Sequence, residues 1–185
     1  MFRYTTIKNF LSEEECNSIL NFSLENLSIS KAFVGKHNYD ESIRNSEVGF
    51  YKYESEFPYL RDKILTEIHK NVEIKGYNIE FTEPFQFTKY GQNQFYNWHK
   101  DADSELDSYN RYCSIVIQLN NEYEGGELEL LEKNEIIQLE KNKGNLFIFL
   151  SSTTHRVKPV TEGTRYSLVN WFGIEKIDGY KKTLI

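Results

Sequence analysis

The sequence predicts an α+β domain whose strands close into a sandwich or barrel, with helices supporting one sheet. Three observations carry this. Helical hydrophobic spacing is confined to the first 80 residues, and from Pro84 onward short apolar-rich strands follow one another, separated by Gly, Asn, Asp and Glu. The chain, 185 residues with 39% hydrophobic and 15% aromatic side chains, fits one domain with a sizeable core.

Ser12-Glu13-Glu14-Glu15 has the form of a capping box, with Ser12 as cap and Glu15 returning a hydrogen bond. It opens a helix to about Leu27, whose Ile19, Leu20 and Phe22 face inward. Ser28 to Glu47 shows neither helical nor strand period and reads as a long excursion, a kind of loop that often carries function. Leu60, Ile64, Leu65, Ile68 and Val72 return at helical spacing and predict a second helix packed on a sheet. The strands are FQFTKY, YCSIVIQLN, GELELLE, EIIQLE, NLFIFLSS, HRVKPV and RYSLVNWFGI. No internal repeat or linker interrupts the chain.

A net charge of −6 without a run of Lys or Arg repels polyphosphate and disfavours nucleic acid as a partner without excluding it. There is no apolar run of signal-peptide or membrane-span length, so the expectation is a cytoplasmic protein with no membrane contact. Cys16 and Cys113 are too few for a disulfide scaffold and are expected as buried thiols.

The candidate chemistry begins at YNWHKDAD, residues 96–103. With 4 His and 28 acidic residues, chance supplies about 0.6 His-x-acid triplets, so His99-x-Asp101 needs corroboration. In extended chain an i, i+2 pair shares one face and can reach one ion. His155, at the end of the strand GNLFIFLSS, is the candidate third ligand. Two His and one carboxylate fit a facial triad that leaves half the coordination sphere of Fe(II) open. Ten residues on, RYSLVNWF alternates, with Arg165, Ser167, Val169 and Trp171 on one face. An inward Arg165 demands an anion such as a carboxylate, whereas an outward one is an ordinary surface residue.

Together, His99-x-Asp101, His155 and Arg165-x-Ser167 resemble the core of 2-oxoglutarate and Fe(II)-dependent dioxygenases, in particular the prolyl 4-hydroxylase-like branch. Tyr90-Gly91, Tyr96 three residues before the first His, and the turn YEGGELEL follow that branch's order, so the resemblance covers about Phe85 to Phe172. It implies a double-stranded β-helix (jelly-roll) core over residues 81–175, with residues 1–80 as helical support and a lid loop. It implies Fe(II) on His99, Asp101 and His155, and 2-oxoglutarate and O2 as cosubstrates. Arg165 would pair with the distal carboxylate, Ser167 on the same face would add a hydrogen bond, Tyr90 would reach the other carboxylate end of the cosubstrate, and ascorbate is a further cofactor the resemblance admits. The family also admits Lys in place of Arg165. One departure is visible: animal oxygen-sensing prolyl hydroxylases carry Tyr where this chain has Gln118, which leaves the second donor to the cosubstrate open.

The substrate implied is a peptidyl proline, with Ser28 to Glu47 placed to close over it. Arg111 and Trp171 match substrate-side positions of related enzymes. Arg111 also fits a solvated strand-entry residue, Trp171 a core residue, and Asp103 a rim position. Other readings stay open at this point: a dioxygenase of a free amino acid, metabolite or nucleobase; a silent jelly roll that only binds; or a zinc hydrolase, for which nothing requires Arg165. Both monomer and homodimer are compatible with the sequence.

Overall fold

In a computed structural model of the chain, the residues described are 2–33, 40–51, 57–74, 76–81, 83–102 and 110–177. Helix α1 (Glu13–Asn26) starts on the capping box: Glu15 N–H donates to Ser12 Oγ at 3.2 Å and Ser12 N–H to the Glu15 carboxylate at 2.8 Å. Helix α2 (Pro58–Asn71) begins with proline at its first position, where the missing N–H is not needed. Ile19 of α1 and Leu60, Ile64 and Ile68 of α2 are buried, while Leu20, Phe22 and Leu65 are half-buried against the same core.

Among the described residues there are fifteen strands, paired antiparallel throughout. Five lie before residue 81: β1 (Tyr4–Ile7), β2 (Ser30–Lys31), β3 (Arg44–Asn45), β4 (Glu47–Phe50) and β5 (Tyr77–Glu80). The others are β6 (Gln86–Tyr90), β7 (Phe95–His99), β8 (Cys113–Gln118), β9 (Tyr123–Gly125), β10 (Leu128–Glu132), β11 (Glu135–Gln138), β12 (Leu146–Leu150), β13 (Thr154–Val157), β14 (Val160–Gly163) and β15 (Arg165–Lys176). A major sheet runs β1-β12-β8-β15-β6-β4-β2, with β5 also on β15; a minor sheet runs β11-β10-β13-β7-β3; and β9 pairs with β14.

The early strands were not expected from the sequence. They are two to four residues long, too short to show a period, and exist through pairing: Tyr4–Ile7 against Leu146–Phe149, Arg44–Asn45 against Tyr96 and Phe95. The stretch from 28 to 47 is therefore stitched to both sheets where it is described, by β2 on β4 and β3 on β7. Residues 34–39, the middle of the expected lid, lie outside the described residues. The single strand expected from HRVKPV is broken by Lys158-Pro159 into β13 and β14, as a proline without an N–H dictates.

The fold places the site through two strands covered on both faces. On β8, Cys113, Ile115 and Ile117 meet the helices, while Val116 turns to a second apolar cluster shared with Leu128, Leu130, Phe147, Phe149 and Val157. On β15, Leu168 and Phe172 join the helical side, so Arg165, Ser167, Val169 and Trp171 turn the other way. Both cysteines are buried and free.

Replacing Ser12 by Ala removes the cap of α1. It is expected to lower the unfolding free energy by about 0.5–2 kcal/mol in a urea titration, with the slope unchanged.

Candidate metal and anion site

A cavity of about 670 Å³ opens between the two sheets. His99 and His155 are cross-strand partners on β7 and β13, with ring centroids 4.1 Å apart. Nδ1 of each lies beside the carbonyl two residues earlier, Asn97 O at 2.8 Å and Thr153 O at 2.9 Å. A carbonyl only accepts, so each Nδ1 carries a hydrogen, which leaves Nε2 as the nitrogen that offers a lone pair in a neutral imidazole. The two Nε2 atoms converge on Asp101, 3.6 Å and 3.5 Å from its two carboxylate oxygens, and the three ligand atoms lie within 4.8 Å of one another.

Asp101 follows the end of β7, and its position is set from the opposite sheet. Its N–H and that of Ala102 donate to Ser151 O at 2.9 and 3.1 Å. Its Oδ2 accepts from Ser114 Oγ at 2.6 Å and Trp171 Nε1 at 2.9 Å. Burial works to raise its pKa, but His155, His99 and the Ser114 hydroxyl together hold the carboxyl well below the usual range. Burial lowers the pKa of His155 to about 4, against the pull of Asp101, so the imidazole is neutral at ordinary pH. The Tyr96 ring stacks on His99 with centroids 3.4 Å apart; burial above all lifts its phenol to about 12. Three such ligand atoms, with no fourth His, Cys or acid in the cluster among the described residues, suit an ion that keeps coordination positions for other molecules.

Arg165 lines the same cavity and is 2% exposed. Nη1 donates to Ser167 Oγ at 3.1 Å, and Nε and Nη2 are buried with no partner. Leaving two donors of a buried cation unmet costs several kcal/mol, roughly, so the arrangement calls for an anion from outside the chain. Tyr90, the cross-strand partner of Arg165, turns its ring to the guanidinium at 5.4 Å.

Every site residue singled out from the sequence except Gln118 and Asp103 lines this cavity. Gln118 instead donates to Asn120 O at 2.9 Å and Tyr123 Oη at 3.0 Å. Asp103 lies outside the described residues. Arg111 is not the solvated residue the sequence allowed: it grips the Glu83 carboxylate through Nε and Nη2 and stacks on Trp171 at 4.0 Å. Trp171 is more than a wall, because its indole N–H holds Asp101. Ser114 was missed. Its signal was a hydroxyl inside an apolar strand at the parity of Gln118, which means little until Asp101 is placed beside it.

A sequence model described as the 2OG-Fe(II) oxygenase superfamily matches residues 85–173. A PKHD-type hydroxylase of Prochlorococcus marinus is 33% identical over 144 residues, covering 76% of this chain and 59% of the relative. One from Aliarcobacter butzleri is 26% identical over 97% of this chain and 82% of its own length. The matched segment thus spans 59% and 42% of the Prochlorococcus relative and a similar hydroxylase of Stenotrophomonas maltophilia, respectively. Among solved structures, a Pseudomonas putida prolyl-4-hydroxylase superposes with a TM-score of 0.74 at 21% identity, covering 94% of each chain. A Trichoplax adhaerens prolyl hydroxylase, in complex with a hypoxia inducible factor oxygen degradation domain peptide fragment, gives 0.77 at 20% identity over 92% of this chain and 83% of that one.

Two outcomes follow from the site's geometry. Substituting Ser114 by Ala frees one Asp101 oxygen and should weaken Mn(II) binding about 10- to 100-fold in a calorimetric titration. His155 titrates near 4 when folded and near 6.5 when unfolded, so unfolding takes up a proton between those values. Stability of the ion-free protein should therefore fall as pH drops from 6.5 toward 4, by at most about 1.4 kcal/mol per pH unit from this group. Urea titrations at pH 6.5 and 5 measure it, and His155→Gln should flatten the trend.

Proposed function

The chain belongs to the 2OG-Fe(II) oxygenase superfamily, and on that premise we propose that it is an Fe(II)- and 2-oxoglutarate-dependent dioxygenase that hydroxylates a peptidyl proline. The observation that carries the reading is the pairing, in one cavity, of a His-Asp-His cluster with a buried Arg165 whose Nε and Nη2 have no partner. His99, Asp101 and His155 would hold Fe(II), and the two open nitrogens of Arg165 would receive the distal carboxylate of 2-oxoglutarate. When bound, iron and cosubstrate supply the oxidation: 2-oxoglutarate, O2 and a substrate C–H become succinate, CO2 and a C–OH.

The protein's part is placement. The neutral His155 imidazole and the ionised Asp101 carboxylate present lone pairs without having to lose protons, and Ser114 and Trp171 keep Asp101 from turning. Arg165 offers a planar fork that fixes the direction of the cosubstrate, a charge-assisted contact worth about 1.5–3 kcal/mol. Ser167, which accepts from Arg165, and Tyr90, whose ring faces the guanidinium, line the same cavity. Tyr96 and Phe149 pack on the two imidazoles and keep bulk water from them.

The prolyl substrate is supported by the likeness to prolyl hydroxylases and by the cavity's outer wall. There Trp171 is capped by Arg111, and Phe33 and Phe50 stand exposed at the mouth, an amphipathic setting suited to a peptide. A cytoplasmic setting and ascorbate as accessory cofactor belong to the same proposal; among the described residues no helix is long and apolar enough to cross a membrane.

Without O2, Fe(II) and 2-oxoglutarate should give wild type a visible charge-transfer band, which His155→Ala loses. With O2, proline-containing peptides should release succinate and gain the mass of one oxygen on proline. A band with oxidation of a free amino acid or metabolite but of no peptide would retain the dioxygenase and refute the substrate.

A further inference from the structure

Asp101 does not present its two carboxylate oxygens equally. Oδ2 accepts from the Ser114 hydroxyl at 2.6 Å and the Trp171 indole at 2.9 Å, which takes up both of its lone-pair positions, while Oδ1 lies 3.6 Å from His99 Nε2. Ser114 and Trp171 are cross-strand partners on β8 and β15. On the other side of β8, Ser114 pairs with Phe149 of β12, and Ser151, two residues on, brings its hydroxyl to within 2.9 Å of the Ser114 oxygen.

The direction of this contact follows from the neighbouring one. Between two hydroxyls either oxygen can donate, but a carboxylate only accepts, so the single hydrogen of Ser114 is spent on Asp101. Ser151 is therefore the donor, and a one-way chain runs from the Ser151 hydroxyl to the Ser114 hydroxyl to Asp101 Oδ2. Both serines are fully buried, so bulk water does not compete for either hydroxyl. Val116 and Phe149, their neighbours along the two strands, belong to an apolar cluster, where a hydroxyl is costly unless it is bonded. A hydroxyl that accepts one hydrogen bond donates another more strongly, so the contact from Ser151 tightens the hold of Ser114 on Oδ2. Ser151 also fixes the main chain of the ligand, its carbonyl accepting from the N–H groups of Asp101 at 2.9 Å and Ala102 at 3.1 Å.

We propose that Ser151 is a positioning residue of the metal site, whose hydroxyl acts on Asp101 through Ser114 and keeps the carboxylate turned with Oδ1 free for the ion. This rests on the metal site of the function proposed above. Neither serine lines the cavity, so the effect reaches the ion only through the orientation of Asp101.

The test titrates the full-length protein with Mn(II) alone, by calorimetry, and records the electron paramagnetic resonance spectrum of the saturated site. Ser151→Ala, which keeps the main-chain carbonyl, should weaken Mn(II) about three- to tenfold and change the spectrum. Ser151→Cys, with a weaker donor in nearly the same place, should fall between wild type and Ser151→Ala. Added to Ser114→Ala, the Ser151→Ala change should alter the affinity by less than about twofold and leave the spectrum as it is, because the group it acts through is gone. Unchanged affinity and spectrum in Ser151→Ala, or a loss that recurs in full on top of Ser114→Ala, would overturn the assignment of Ser151 and leave the metal site standing. Failure of wild type to bind Mn(II) would overturn both.

Discussion

Asp101 is where the two sheets are tied together. Its neighbours in sequence belong to β7 of the minor sheet, yet its Oδ2 is held by Ser114 and Trp171 from the middle of the major sheet, and its backbone hangs on Ser151 just beyond β12. A buried carboxylate with two neutral donors on one oxygen is tolerable; without them it would carry a large desolvation penalty. Its other oxygen and the two imidazoles are left facing a common point. The contact that closes the fold is thus also the contact that shapes the ligand cluster.

Arg165 is handled in the opposite way. It is more deeply buried, on the same face of β15 as Trp171, but the chain satisfies only one of its three nitrogens. The asymmetry is possible because β15 is covered on both faces. Leu168 and Phe172 anchor it to the helices, so the strand need not draw stability from its polar face.

How much of this could be read from the sequence depended on range. Ser12 and Glu15 satisfy each other within one turn, and the parity of RYSLVNWF is local, so both were legible. His99, Asp101, His155 and Arg165 were legible as a set because the chemistry restricts which residue types can serve. The strands of the first 80 residues were not, since segments of two to four residues have no period and are made by their partners. Arg111 shows the same limit: its role depends on Glu83, 28 residues upstream. Ser114, Ser151 and the aim of Gln118 depend on strand register, which no spacing along the chain reports.

The unpartnered nitrogens of Arg165 bear on the lifetime of the protein as well as on what it holds. A guanidinium that water would solvate in the unfolded chain is left wanting in the folded one, so the empty molecule carries an internal deficit that an anion removes. Any species bound only by the folded form lowers the unfolded fraction in proportion to its saturation, and with it exposure to proteases. An anion that fills the gap would thus lengthen the life of the folded chain as well as occupy its cavity.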